Sequence, residues 1–370
     1  MRRRRPLRAE DALFLHAQTP LLCQQVGAVV LLDAGRPGSP GFSRDDFLGA
    51  MAERLRAVPE LRWRLERPGS RWRRPHWVPD EDMDVGERIR EVTVGEDGTP
   101  SAFSGAVDAF FTQPCDPYRA PWEMRLVRGL PDDRTAVLVK VHHTLGDGRV
   151  IIAALTRLFD DPRPARGDGV PSGPGPGRRI AASAQAIRGL CHLALAGRAP
   201  ASSLCGPFSA GRRQFVPVVL PARDVARAAR ALHAGIADLL VASMAEALGR
   251  LLNARGEETA GRVLRVAVPR AWPAAGHRGR PPGNRCAAIA LDVPVGPLSP
   301  AGRLAAVQEQ VELHLRRREP DGAALVLRAM NLLPPPVQRR AAAAVYTRRW
   351  FNVVASEITV ASRHNFGPAG

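Results

Sequence analysis

The residues best suited to chemistry lie in one segment of seven, HHTLGDG, at positions 142–148. It follows an apolar run, TAVLVKV at 135–141, that is typical of a buried strand. A histidine held at the end of a strand can serve as a general base, because its ordinary pKa lies near neutrality. The segment therefore predicts a proton-transfer site at this strand end.

Each polar residue of the segment has two interpretations. His143 is the candidate base, and the alternative is a histidine that only completes the core. His142 should point to the opposite face of the strand, because side chains alternate, and we expect it to play a supporting role. Asp147 either orients the imidazole, or it caps a helix, whose N-terminus favours a carboxylate, and pairs with a distant arginine to hold the turn. Gly148 either allows a tight turn or leaves space for a ligand.

Strand and helix patterns around this segment predict the elements that position it. A hairpin of strands at 123–130 and 135–141 presents the histidines, and a helix over 147–159 follows. The other predicted strands are 26–32, 214–220, 263–268, 285–293 and 351–355, and the other predicted helices are 43–57, 101–111, 180–195, 222–233, 236–253, 300–317, 323–333 and 337–348. This mixture predicts an α/β protein in both halves of the chain.

Length and composition predict two lobes. A chain of 370 residues with 45% hydrophobic residues is long enough for two domains or one two-lobed body. The stretch 162–179 is rich in Pro, Gly and Arg, which indicates a linker between the halves. We therefore expect an N-terminal lobe at 1–161, a linker and crossover helix at 162–203, and a C-terminal lobe at 204–370.

The net charge of +17 comes almost entirely from arginine, since Lys140 is the only lysine. Such a charge favours phospholipid headgroups, nucleic acid and phosphate-bearing coenzymes as partners. Nucleic acid is the weaker interpretation and we expect none, because aromatic residues make up only 5% of the chain and the arginines are spread along it.

Cysteine usage and the distribution of apolar residues indicate the compartment. The five cysteines are far apart and form no CxxC pair, which favours a reducing cytoplasm over a disulfide scaffold or a metal site. No apolar run reaches the ~20 residues that span a bilayer. The arginines at 2–5 suit either a solvated tail or an anchor to lipid headgroups. We expect a cytoplasmic protein, at most peripheral at the inner face of the plasma membrane or at a lipid-droplet surface.

Six segments, in order, resemble the bacterial wax ester synthase/acyl-CoA:diacylglycerol acyltransferase family, within the CoA-dependent acyltransferases that share the HHxxxDG signature. They are DALFL at 11–15 with Thr19 and Pro20, VPELR at 58–62, APWEM at 120–124, the HHxxxDG segment itself, LCGP at 204–207 with Arg212 and Arg213, and Gly283 with Asn284. The resemblance covers residues 7–355 and implies two chloramphenicol-acetyltransferase-like lobes with a central channel between them.

The resemblance also implies roles for the site residues. His143 would remove the proton of an alcohol that attacks the thioester of acyl-CoA and then protonate the departing sulfur, without a metal or a covalent intermediate. Asp147 would hold the turn, and Asn284 would support the site from the second lobe. Acyl-CoA would be a co-substrate, with no permanently bound cofactor.

The chain departs from the family pattern mainly in its second half. Ala237 and Asp238 stand where the family usually has Asn-Asp, Cys205 replaces an expected Asn, and SEIT at 356–359 replaces a segment of the Ser-Asn-Val-Pro-Gly-Pro type. We expect the C-terminal lobe to lack the strands that usually follow this segment.

The sequence therefore predicts an O-acyltransferase that moves a fatty acyl group from acyl-CoA to diacylglycerol or a long-chain alcohol. Two alternatives remain open. One is transfer to a non-lipid hydroxyl or amine, and the other is a homologue that binds acyl chains or lipids with little or no turnover.

Overall fold

The computed structural model describes most of the chain and places sheets and helices in both halves. The described residues are 4–32, 43–94, 99–131, 134–159, 187–189, 191–192, 195, 197–206, 213–271, 283–284, 286–345 and 349–358. They form one sheet of four strands and two sheets of three strands. The predicted α/β class is confirmed.

The four-stranded sheet carries the HHxxxDG segment. Its strands follow the order β2 (Gln25–Leu32), β7 (Thr135–His142), β6 (Trp122–Arg128) and β5 (Ile89–Thr93). β5 and β6 are parallel, and the other two pairs are antiparallel. Every residue of β7 is buried, which explains why its sequence is an apolar run rather than an alternating one.

Helices cover both faces of this sheet. On one face lie α2 (Arg44–Arg54) and α5 (Gly148–Phe159), and on the other lies α4 (Pro100–Thr112). The short helix α3 (Val85–Arg88) precedes β5. Ser43 is the N-cap of α2: its hydroxyl accepts from the Asp46 amide at 3.1 Å, and the Asp46 carboxylate accepts from the Ser43 amide at 2.9 Å.

Lys140 is fully buried near the C-terminal end of β7. Its ammonium donates to the carbonyl oxygens of Phe110 at 3.2 Å and Gln113 at 3.0 Å, and it pairs with the Glu123 carboxylate at 3.2 Å. A buried cation is tolerated only when its hydrogen bonds and its charge are met, and these three oxygens meet them. The only lysine of the chain thus fastens β7 to β6 and to the end of α4.

The second half is built on an antiparallel pair, β8 (Val263–Ala271) and β9 (Cys286–Pro294), with β10 (Val353–Val354) parallel to β8. α7 (Ile236–Ala254) and α8 (Pro300–Arg316) pack against this sheet. The remaining helices of this half are α6 (Ala222–Ala231), α9 (Glu319–Ala329) and α10 (Pro335–Val345).

The N-terminal helix α1 (Ala9–Ala17) lies between the two halves. On one side Ala9 and Leu13 pack against Met330 and Ala342 of the second half. On the other side Ala12 packs against Leu65, in the small sheet β1 (Arg5–Pro6), β4 (His76–Pro79) and β3 (Trp63–Glu66). Because α1 contacts both halves, its side chains can reach a site formed between them.

Three predictions for the second half need correction. The predicted strand at 214–220 is wrong: the segment is exposed and pairs with none of the described strands. The last two helices begin earlier than predicted, at Glu319 and Pro335, because acidic residues and proline suit the first helical turn. The last strand is shorter than predicted. The predicted linker at 162–179 and most of the predicted helix at 180–195 lie outside the described residues.

Among the described residues, no single helix has the length and apolarity that crossing a membrane requires. Within this described part of the chain, one bent pair, α6 and α7 taken together with an angle of 97° between them, passes the test of length and composition.

Candidate active site

The end of β7 delivers both histidines of the motif. His142 is the last residue of the strand, and His143 opens a single 3₁₀ turn, His143–Leu145. The backbone is fixed on two sides, because the His142 amide donates to the Pro121 carbonyl at 2.7 Å and the His143 amide donates to the Gln24 carbonyl at 2.9 Å. The two rings diverge at the point where the chain leaves the sheet.

The His143 ring lies between the two halves of the molecule. One face stacks on Phe14 of α1, with the ring centroids 4.1 Å apart and the planes 8° from parallel. Its Nδ1 lies 3.0 Å from the side-chain oxygen of Asn284, which is 141 positions away in the chain. The structure thus brings His143 and Asn284, both singled out from the sequence, into direct contact.

The hydrogen bonds of Asn284 determine which nitrogen of His143 carries the proton. The Asn284 side-chain NH₂ donates to the His143 carbonyl at 2.7 Å and to Asp11 Oδ1 at 2.9 Å. A carbonyl accepts only, and Oδ1 of Asp11 already accepts from the Asn284 amide at 2.9 Å. Since the NH₂ group faces these acceptors, the amide oxygen faces Nδ1, which must donate. Nε2 is therefore the nitrogen that can accept a proton.

The surroundings of His143 keep its imidazole neutral. Burial lowers the pKa of His143, and the hydrogen bond to Asn284 and the charge of Asp147 raise it in part. With its pKa below the ordinary value of a histidine, the ring is unprotonated at neutral pH. It has the charge state that a general base requires.

Sequence reasoning assigned no role to Asp11 and Phe14, although both lie in the DALFL segment of the resemblance. They sit three positions apart on α1, so they face the same side of the helix and reach the site together. Burial raises the pKa of Asp11 to about 6. The one signal in the sequence for a role of Asp11 was the presence of an acidic residue within an apolar helical segment.

The His142 ring contacts the 3₁₀ turn that follows it. It is fully buried, and its Nδ1 accepts from the Thr144 amide at 3.1 Å and lies 2.8 Å from the Thr144 hydroxyl. Burial lowers the pKa of His142 to about 3, so the ring is neutral. Its contacts fix the backbone immediately after His143.

Asp147 and Gly148 shape the start of α5. The Asp147 carboxylate accepts from the Val150 amide at 3.1 Å, as an N-cap does. A Cβ on Gly148 would lie 2.5 Å from Cδ1 of Ile358, so the glycine admits a side chain from the second half. Of the two interpretations of Asp147, this bond matches helix capping.

No group of three or more metal-ligating side chains occurs in the part of the chain that the structure describes. A cavity of about 550 Å³ lies in the second half, between α7 and the start of α8. None of the residues His143, Asn284, Asp11 and Phe14 lines it. The predicted channel between the lobes stays a prediction.

Solved structures of other proteins share this fold. The wax ester synthase/diacylglycerol acyltransferase from Marinobacter aquaeolei VT8 aligns with a TM-score of 0.62 and 21% identity, over 96% of this chain and 82% of that one. The first condensation domain of the CDA synthetase aligns with a TM-score of 0.54 and 18% identity, over 86% and 75% of the two chains. At these identities the likeness shows the fold alone.

The family is shown by sequence. The family model described as wax ester synthase/diacylglycerol acyltransferase catalytic domain matches residues 7–267. The chain belongs to this family, and the predicted resemblance is confirmed.

Two mycobacterial relatives give the scale of the similarity. A Mycobacterium tuberculosis protein named "probable diacyglycerol O-acyltransferase" is 26% identical over 267 residues, which are 66% of this chain and 56% of that protein. A Mycobacterium bovis protein also named as a diacylglycerol O-acyltransferase is 31% identical over 153 residues, 41% of this chain and 30% of that one. The chain thus spans no more than about half the length of the curated relatives it matches.

Proposed function

We propose that this protein is an O-acyltransferase that moves a fatty acyl group from acyl-CoA to diacylglycerol or a long-chain alcohol. The observation that carries the proposal is the geometry of His143, whose Nδ1 is bound to Asn284 so that Nε2 can accept a proton. The names of the mycobacterial relatives and the family description support this reaction class.

The proposed reaction uses His143 first as a base and then as an acid. Nε2 removes the hydroxyl proton of the acceptor while the acceptor oxygen attacks the thioester carbonyl carbon of acyl-CoA. A carbon–oxygen bond forms, and the carbonyl becomes a tetrahedral oxyanion. When this intermediate collapses, the carbon–sulfur bond breaks and the CoA sulfur takes the proton from the imidazolium. The products are an ester and free CoA, and His143 is neutral again.

Asn284 supports both steps of this sequence. Its oxygen accepts from Nδ1 before proton transfer and continues to accept when the ring becomes an imidazolium. The base therefore gains a stabilising hydrogen bond in its charged form without rotating. The hydrogen bond to this neutral amide raises the pKa of His143 only in part, and a carboxylate in the same place would raise it further.

The test is acyl transfer by purified protein and two His143 variants. We expect free CoA thiol and ester product from acyl-CoA with diacylglycerol or a long-chain alcohol. His143→Ala and His143→Gln should lower the rate by about 10²–10⁴-fold, which is what a positioned acid–base group contributes. Thiol titration measures CoA release, and mass spectrometry identifies the ester.

His233→Asn is the matched control, because His233 is an exposed histidine in the second half, outside the site. It should keep the wild-type rate. Multiple turnovers by His143→Ala would contradict the assigned base. Tight binding of acyl-CoA without turnover on any acceptor would contradict the proposed enzymatic activity and favour the acyl-binding alternative. Turnover on amines alone would contradict the proposal that the acceptor is a lipid alcohol.

We also propose that the protein works in the cytoplasm at an anionic membrane surface, where a lipid acceptor would be found. The turn between β3 and β4 exposes Trp72, at 58% of its surface, between the exposed Arg71 and Arg73. Tryptophan favours the membrane interface, and arginine is attracted to anionic headgroups. The net charge of +17 acts in the same direction.

A further inference from the structure

The Asp11 carboxylate binds both the backbone and the side chain of Asn284. Oδ1 of Asp11 accepts from the Asn284 amide nitrogen at 2.9 Å and from the Asn284 side-chain nitrogen at 2.9 Å. Asp11 and Asn284 are each only 5% exposed. The two residues lie 273 positions apart, so this contact ties the N-terminal helix to the second half at the point where Asn284 meets His143.

The close fit of the carboxylate involves Gly283 as well. A Cβ on Gly283 would lie 3.2 Å from both oxygens of Asp11 and 3.3 Å from a guanidinium nitrogen of Arg8. Any larger residue at 283 would push the carboxylate away from Asn284. The charged groups that act on Asp11 are Arg8, whose charge lowers the pKa of Asp11, and Glu10, whose charge raises it.

We infer that Asp11 is a positioning residue for His143, acting through Asn284. This inference rests on the proposed function and adds the group that sets the orientation and basicity of the base. The chain of contacts runs from the Asp11 carboxylate to the Asn284 NH₂, and from the Asn284 oxygen to Nδ1–H of His143. Asp11 does not touch the reacting atoms in this arrangement.

Two effects follow from this chain of contacts. First, Asp11 occupies one of the two N–H bonds of the Asn284 amide, which keeps the amide oxygen toward His143. Second, a negative charge at Asp11 polarises the amide, so that its oxygen is a stronger acceptor for the imidazolium. Burial raises the pKa of Asp11 only to about 6, so above that pH the carboxylate is mostly ionised.

Two substitutions separate these effects. Asp11→Asn keeps an oxygen that can accept both bonds but removes the charge, whereas Asp11→Ala removes both bonds. We expect Asp11→Asn to lower kcat a few-fold and to move the acid limb of the kcat/KM profile to lower pH, because the charge that favours imidazolium is lost. Asp11→Ala should lower kcat by about 10–100-fold with little change in KM, less than removal of the base itself.

The matched control is Glu10→Gln, on the same helix. Glu10 accepts from the Asn331 side chain at 2.9 Å and so helps to hold α1 against the second half without contacting Asn284. It should keep kcat within about twofold of wild type above pH 6, where Asp11 is ionised with or without the charge of Glu10. Protein labelled with ¹⁵N-histidine gives a readout independent of turnover: the His143 signal should report protonated Nδ1 in wild type and a mixture of tautomers in Asp11→Ala.

The outcomes distinguish this inference from the proposed function. If His143→Ala is inactive but Asp11→Ala keeps the wild-type kcat, pH profile and tautomer, the inference is overturned and the proposed function stands. If Glu10→Gln matches Asp11→Asn, the effect belongs to helix docking in general, and the inference is again overturned. Should Asp11→Ala fail to fold, the acid limb of Asp11→Asn decides, since that variant keeps an oxygen that can accept both hydrogen bonds.

Discussion

At the scale of single residues, a neutral amide sets the tautomer of the proposed base. Asn284 donates to the His143 carbonyl and to Asp11 and accepts from His143 Nδ1. Burial lowers the pKa of His143, and the hydrogen bond to Asn284 offsets this only in part. The ring therefore stays unprotonated as the pH falls to the ordinary pKa of a histidine.

Phe14→Leu should change the pH at which His143 is active. The Phe14 ring covers one face of the imidazole and contributes to the burial that lowers the pKa of His143. A smaller side chain admits water, so that pKa should rise toward its ordinary value. Because the neutral ring is the active form, the acid limb of kcat/KM should move to higher pH.

The measurement is kcat/KM for acyl transfer across the acid range. Phe103→Leu makes the same change in the core beside α4 and serves as the control, with an unchanged acid limb. An acid limb that stays in place in Phe14→Leu would show that Phe14 does not set the pKa of His143.

The site was partly predictable at this scale. The motif names His143, His142, Asp147 and Gly148 because they are consecutive or nearly so, and the resemblance adds Asn284. No spacing rule could assign a role to Asp11, because its partner lies 273 positions away and the contact exists only after both halves have packed.

At the scale of elements, β7 and α5 hold the turn that presents His143. β7 is buried along its whole length, and α5 starts immediately after the motif with Asp147 as its cap. A shift of either element would move the ring away from Asn284. The stability of this turn is therefore a condition for the proposed chemistry.

Asp147→Ala should lower the free energy of unfolding by about 1 kcal/mol or more, because it removes the N-cap of α5. Asp147→Asn keeps an oxygen that can accept from the Val150 amide, so its free energy of unfolding should fall less. Both variants lack the Asp147 charge that raises the pKa of His143, so the acid limb should move to lower pH in each.

Urea unfolding measures the stability, and the kcat/KM profile measures the acid limb. Ser43→Ala, which removes the cap of α2 on the same face of the sheet, is the control. Ser43→Ala should lose a similar amount of stability and leave the acid limb of the kcat/KM profile at its wild-type pH. Equal stability of Asp147→Ala and wild type would contradict the capping role.

Elements with a strong local pattern were predicted well, and those that need a partner were not. Helix α2 follows from its cap and its apolar face, and β7 from its continuous apolar run. The segment 214–220 has an equally apolar sequence, yet no described strand pairs with it. Composition predicts an extended chain, but a strand also requires a neighbour that composition does not reveal.

At the scale of the whole molecule, the site exists only where the two halves meet. The first half supplies His143, the second supplies Asn284, and α1 contacts both. The exposed turn at Trp72 is likewise a property of the folded surface, and it acts together with the net charge of +17.

The exposed turn between β3 and β4 should mediate binding to anionic membranes. We expect the protein to float with vesicles of phosphatidylcholine and phosphatidylglycerol but not with phosphatidylcholine alone, and to dissociate in high salt. Trp72→Ala combined with Arg71→Ala and Arg73→Ala should lower the bound fraction severalfold.

Arg223→Ala combined with Arg230→Ala removes two exposed arginines from α6 and serves as the control for loss of charge alone. This variant should bind nearly as well as wild type. If the turn variant and the α6 variant lost the same fraction of vesicle binding, the positive charge would account for the attraction, without a specific role for the turn.

The burial of Lys140 has a consequence for a protein proposed to work among activated thioesters. Acyl thioesters slowly acylate exposed lysine amines without any enzyme, and this chain keeps its only lysine amine at 0% exposure between three oxygen partners. The folded protein therefore offers no lysine to such damage. Covalent labelling of Lys140 by an amine-reactive reagent would instead count the molecules in which β7, the strand that precedes His143, has come apart from its neighbours.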